Sequence, residues 1–132
     1  GPISPVLVFA AGQVTKDAKP LAFKFRPPAG FRVSDAAILP DGRLRVLVRS
    51  FSAPFTFESR LLLVNAPEWT AGKTHEGQEI IRLGPPGIHD NFEAIVLGDA
   101  GDDGAQQVWL ASDDNHLPLQ KTWLLKVEVK AE

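Results

Sequence analysis

The chain has no cysteine, methionine or tyrosine among its 132 residues. Without cysteine there is no disulfide framework and no thiolate-held metal, while the redox compartment stays open. No apolar run approaches the ~18 residues that a membrane-crossing helix requires. The segment 3–11 lacks a basic flank, so no intact signal peptide is visible, which is also the character of a mature exported protein. Excess positive charge is missing as well: 14 Lys and Arg stand against 16 Asp and Glu, a formal net charge of −2. Nucleic-acid-binding domains are usually markedly basic, so DNA or RNA partners are not expected.

The chain does contain eleven glycines and eleven prolines, set between short runs of Val, Ile, Leu and Phe. No long stripe of period 3.6 accompanies them, and the pattern reads as all-β. Strands are expected at 6–10, 21–25, 34–39, 43–49, 59–65, 79–83, 92–98, 107–112 and 122–130. Pro40-Asp41-Gly42 separates two of these runs and supplies the positive φ that a tight hairpin needs. Segment 98–104 reads as a longer, acidic hairpin loop, with 67–77 and 84–89 as connections outside the ladder.

An internal repeat follows. Ala37-Ile38-Leu39 laid on Ala94-Ile95-Val96 is an offset of 57, Leu47-Val48 on Leu110-Ala111 is 63, and Leu62-Leu63 on Leu124-Leu125 is 62. Each copy reads as strand, hairpin, strand, polar loop, strand, a unit that buries both faces only by stacking against another copy. Propeller blades run about 40 to 50 residues and closed propellers take about four to eight. The fold class expected is therefore all-β, with propeller-type blades of antiparallel strands forming an incomplete propeller: residues 1–132 supply about two to three blades. The remaining blades are expected from another polypeptide or a second copy, because each large aliphatic side chain left in water forfeits about 1.5 to 3 kcal/mol. A lone monomer is expected to aggregate.

The polar residues that carry chemistry collect at expected strand ends. Asp90-Asn91-Phe92-Glu93 opens one strand and Ser112-Asp113-Asp114-Asn115 closes the next. Calcium takes six to eight oxygens at flexible geometry, so Asp90, Asp113 and Asp114 are candidate metal ligands, with Asn91 and Asn115 able to bind metal or substrate. The alternative is that these short polar side chains cap loops locally. Arg49 and Arg60 suit phosphate or carboxylate oxygens in bidentate fashion, or else pair with Asp35 or Glu93. Glu93 is the candidate general base and His89 a candidate substrate donor. His75 and His116 have no metal-ligand spacing, and no serine lies in Gly-x-Ser-x-Gly. Gly72-Lys73-Thr74 and the 99–104 loop imitate a phosphate loop and a calcium hand, but both read as turns. Trp109 and Trp123 are expected to pack between blades, and Trp69 lies in a loop.

Ser34-Asp35-Ala36-Ala37, Leu39-Pro40-Asp41-Gly42-Arg43-Leu44, Arg49-Ser50-Phe51-Ser52, Arg60-Leu61-Leu62, Asp90-Asn91-Phe92-Glu93, Ser112-Asp113-Asp114-Asn115 and Leu119-Gln120-Lys121-Thr122 occur in that order. This ordered set resembles the carboxy-terminal part of the phytase-like family, bacterial proteins described as having esterase-like activity of phytase. The resemblance implies a β-propeller, an exported protein, periplasmic or extracellular, and a hydrolase of phosphoesters or esters, calcium-assisted as in propeller phytases. The alternative function is a non-catalytic propeller that binds a ligand or protein, with calcium as a staple. Val48 stands where a glutamate often precedes the arginine, and Ala94 where a glycine follows Glu93.

Overall fold

The computed structural model describes residues 2–8, 16–17, 19, 21–53, 56–65, 72–87, 90–101, 103–113 and 122–130. Among these residues there is no helix, hence none long and apolar enough to cross a membrane. Ten strands form: β1 (Ser4–Val8), β2 (Leu21–Phe25), β3 (Arg32–Ile38), β4 (Leu44–Ser52), β5 (Thr56–Val64), β6 (Thr74–His75), β7 (Gln78–Leu83), β8 (Phe92–Ala100), β9 (Gln106–Ser112) and β10 (Leu124–Val129). They make three sheets, ordered β1-β2-β6, β3-β4-β5-β7 and β10-β9-β8. All pairings are antiparallel except the short β2–β6 pair.

The four-stranded sheet lies between the other two because both of its faces are apolar. Leu44, Val46, Val48, Leu62 and Val64 pack one face against Phe25 and Val6 of the first sheet. Leu47 and Leu61 pack the opposite face against Phe92, Ile95, Val108, Leu110 and Val129 of the third. Strand alternation produces this directly: neighbouring residues of β4 and β5 point to opposite faces, and a continuous buried run belongs to a strand covered on both sides. At about 1.5 to 3 kcal/mol for each fully buried aliphatic side chain, these two interfaces hold the layers together.

The repeat is present, in a register different from that expected. In β3 the pairing slips between Val33 and Asp35, and in β8 between Phe92 and Ala94. Matching the bulges places Val33 on Phe92 (offset 59), Leu47 on Ala111 (64) and Leu61 on Leu124 (63). The hairpins match too. Gly42 N–H bonds the Leu39 carbonyl (2.9 Å) and Gly104 N–H the Gly101 carbonyl (2.9 Å). Both closing glycines have positive φ, 90° and 81°. Asp41 Oδ1 accepts from Arg43 N, and Asp103 Oδ1 from Ala105 N, at 3.0 Å each. The expected offset of 63 set Leu47 on Leu110, but those residues face each other across the interface. A slip of one residue exchanges the faces of a strand, and the bulges move the register by that one residue.

Other differences are local. The first strand begins at Ser4 rather than residue 6, and residues 74–75, expected in a connection, form a parallel bridge to β2. That bridge buries His75 edge-on against Phe23, ring centroids 5.4 Å apart, so His75 belongs to a strand and not to the expected polar connection. Strand β8 runs to Ala100, and the surplus length of the second copy is taken up by longer hairpin arms, 98–100 against 106–107, which include a one-residue bulge between Leu97 and Ala100. Trp123 is half exposed, and Trp109 lies under Lys126 Nζ (5.7 Å to the ring) across from Val96. Neither tryptophan belongs to the two core clusters; Trp109 shares its face with Val96 and Lys126, and among the described residues no further sheet covers that face. Trp69 and His116 lie outside the described residues.

Candidate functional site

The stacking brings the end of β4 against the start of β8. Strands β3 and β8 run side by side where the two sheets meet. Asp35 joins them: its Oδ1 accepts from Ala36 N (2.8 Å) and its Oδ2 from Ile95 N (2.9 Å). A carboxylate serving one backbone amide on each strand ties β3 to β8, so Asp35 is a positioning group rather than the partner of an arginine.

Beyond that link, Arg49 meets the acidic segment. Its Nη1 donates to Asn91 Oδ1 and to Glu93 Oε1 (2.8 Å), and Asn91 Nδ2 donates to the same Glu93 oxygen (2.9 Å). Glu93 is the bulged residue between Phe92 and Ala94. Bulges re-aim a side chain while the ladder continues on either side, which is what allows Phe92 to be fully buried and Glu93 to reach the rim. Asn91 is almost wholly buried, whereas the side chains of Arg49 and Glu93 are 37% and 42% exposed. The result is an open-sided triad of a cation, an amide and a carboxylate at the edge of the interface between the second and third sheets.

Asp90 and Asp113 flank this triad with different contacts. Asp90 Oδ1 accepts from the Asn91 amide (2.7 Å), a local cap of the kind short polar residues make, and Asp113 N–H bonds the Asn91 carbonyl (3.0 Å). Ser112 is tied to Trp123 in both directions: its amide donates to the Trp123 carbonyl (2.9 Å) and its Oγ accepts from Trp123 N (2.7 Å). Among the described residues no three of His, Asp and Glu stand close enough to hold a metal ion. The remaining expected residues His89, Asp114 and Asn115 lie outside the described residues.

Arg60 is not brought to the triad. It pairs with Val48, the neighbour of Arg49 in β4, and therefore points to the opposite face of the sheet. There it sits 4.3 Å over the Phe31 ring and bonds Glu58 (3.2 Å) and Glu79 (3.1 Å), which also hold Arg82 at 3.6 and 2.9 Å. A second cation that sequence reasoning missed is Arg32, directly across from Arg49 in the β3–β4 pair and exposed. Its only sequence signal was the register, which the bulge at Ser34 concealed.

A family model described as Phytase-like, esterase-like activity of phytase, matches residues 4–116, most of the chain and every described residue of the triad. The chain belongs to the Phytase-like family. Membership supports a phytase-like hydrolase at the level of the family. No match was found among curated proteins or among solved structures.

Proposed function

We propose that the chain is part of a phosphoester or ester hydrolase whose reaction takes place at the Arg49–Asn91–Glu93 triad. The observation that carries this reading is the geometry: a half-exposed guanidinium and a half-exposed carboxylate share one buried amide at the edge of the inter-sheet contact. Arg49 would steady the charge that develops on phosphoryl oxygens as water attacks phosphorus. Oε1 of Glu93 is engaged by Arg49 and Asn91, so Oε2 is the oxygen that takes the proton of that water, and the alcohol leaves as the ester P–O bond breaks. His89 and Asn115 complete the proposed substrate contacts with Asn91. Arg60, although a phosphate-binding residue type, would act through the fold.

Calcium belongs to the proposal through Asp90, Asp113 and Asp114, whose carboxylates are hard oxygen donors, and it would polarise a phosphoryl oxygen. No step above depends on it. We also read the three sheets as successive blades of a propeller. Matched bulges, matched hairpins and a four-stranded meander in the middle sheet support that reading. The blades beyond them come from another polypeptide or a second copy, and the whole is proposed to be exported.

A second reading, a non-catalytic binding propeller, is favoured by one fact: Glu93 Oε1 already has two donors, as a structural ion pair would. Hydrolysis of a chromogenic phosphoester by the full assembly, with and without chelator, separates the readings. Turnover that falls in Arg49→Lys supports hydrolysis; tight binding of the ester without turnover supports the binding module.

A further inference from the structure

The face of β4 that carries the triad continues past it. Along that face Arg45 and Leu47 are buried, Arg49 is half exposed and Phe51 is 56% exposed. The β4–β5 pairing runs without a register shift from Leu44–Val64 to Ser52–Thr56, so alternation holds to the end and Phe51 lies on the same side as Arg49. Its cross-strand partner Phe57 lies there too, the ring centroids 4.9 Å apart and the planes tilted by 48°. Two residues of strand separate this aromatic pair from Arg49, roughly 7 Å at about 3.3 Å per residue.

Pairing with β3 ends at Arg32–Arg49 and pairing with β7 ends at Ser59–Leu83. The ends of β4 and β5 therefore project beyond the sheet as a two-stranded ribbon, aromatic on the side of the triad. Arg32 stands on that side as well, since its neighbour Val33 packs the other way with Val48. The face thus has two unlike halves: guanidinium, amide and carboxylate groups, and then a pair of phenyl rings. Ligand sites are built in this manner, with apolar and aromatic walls beside a few placed polar groups. Phenyl rings offer no hydrogen bonds, so a polyhydroxylated or polyanionic group gains nothing from them. An aromatic or aliphatic group gains the burial and the stacking that the fold leaves unused at Phe51.

We propose that Phe51 and Phe57 form the subsite for the alcohol portion of the substrate, and that this portion is apolar. The substrate is then an amphipathic ester, with its oxyanion head at Arg49 and an aromatic or aliphatic alcohol laid on Phe51. This subsite rests on the hydrolase reading and narrows it from esters in general to that class. Loss of one stacked ring should weaken binding about tenfold.

The test compares naphthyl phosphate with glycerol phosphate as substrates of the full assembly. The ratio of their kcat/KM values should fall about tenfold in Phe51→Ala and be kept in Phe51→Tyr. The intrinsic difference between the two leaving groups cancels when that ratio is compared between parent and variant, and a merely structural role of Phe51 would lower both rates alike. Calorimetric titration with naphthylmethylphosphonate, which has no ester bond to break, reads the subsite without turnover, so its failure is distinguishable from that of the hydrolase reading. Naphthylmethylphosphonate should bind about tenfold tighter than methylphosphonate, and Phe51→Ala should abolish the difference. Equal binding of the two phosphonates, or an unchanged substrate ratio in Phe51→Ala, overturns the proposal. So does a fall in particle mass of Phe51→Ala in light scattering, which would make the aromatic pair a contact between chains.

Discussion

Glu93→Gln separates a catalytic group from a structural one, and the structure sets the size of the effect on stability. The Arg49–Glu93 pair is 2.8 Å long but half exposed at both ends, and exposed pairs contribute about 0.2 to 1 kcal/mol. Glutamine keeps an acceptor for Arg49 and for Asn91 Nδ2, so the loss should fall below about 1 kcal/mol. Asn91 differs because it is buried and bonded to both neighbours. Truncation to alanine removes a satisfied buried amide and leaves its partners short, at a cost of about 1 to 3 kcal/mol. Urea unfolding followed by tryptophan fluorescence measures both variants. If Glu93→Gln loses more than about 2 kcal/mol, beyond what an exposed pair supplies, Glu93 is a staple of the inter-sheet contact and the assignment of a proton-transfer role to it fails.

Leu47 is fully buried between the second and third sheets, so Leu47→Ala should cost about 2 to 5 kcal/mol in the same assay. Leu124, its counterpart's neighbour on the uncovered face, is 68% exposed, and Val96 is 61% exposed. Leu124→Lys with Val96→Thr should leave stability within about 0.5 kcal/mol while lowering self-association in light scattering; unchanged association would show that this face is not the contact. Asp41 is held below the ordinary carboxylate value of 3.8, first by the Arg43 amide, against the effect of burial, and then by the Arg43 side chain and the charges of Arg43 and Arg45. A lowered folded pKa contributes stability that is present above the unfolded value and lost as pH falls through the folded one. Asp41→Asn should therefore be slightly less stable than the parent at neutral pH, and the difference should vanish as pH falls below about 4, which flattens the acid limb of its unfolding curve.

Much of the fold was legible because its determinants are local. Pro40-Asp41-Gly42 places a turn residue at the left-handed position, and Gly42 has φ 90° there. The apolar runs of β4 and β5 indicate strands covered on both sides, and they are. What was not legible is non-local or parity-dependent. The bulges at Ser34 and Glu93 leave no mark in the hydrophobic pattern, yet each shifts the register, so the internal repeat was visible and its facing was not. The two-residue bridge of Thr74 and His75 to β2 joins segments about fifty residues apart, where periodicity says nothing. Within the site, pairing of Arg49 with Glu93 was one of the readings open from residue chemistry, whereas Arg60 was grouped with it because alternate faces were not assigned. Arg45 was overlooked although a signal existed: a charge between Leu44 and Val46, in phase with Leu47 and Arg49, has to be buried on the interface side.

The most direct measurement of the central claim is phosphoester turnover by the assembled protein and its Glu93→Gln variant, side by side, once both are shown to be folded. The account predicts that the unmodified protein releases product and that the variant is slower by about 100-fold or more, as loss of a general base requires. Equal rates, or no release from the unmodified protein, would contradict it.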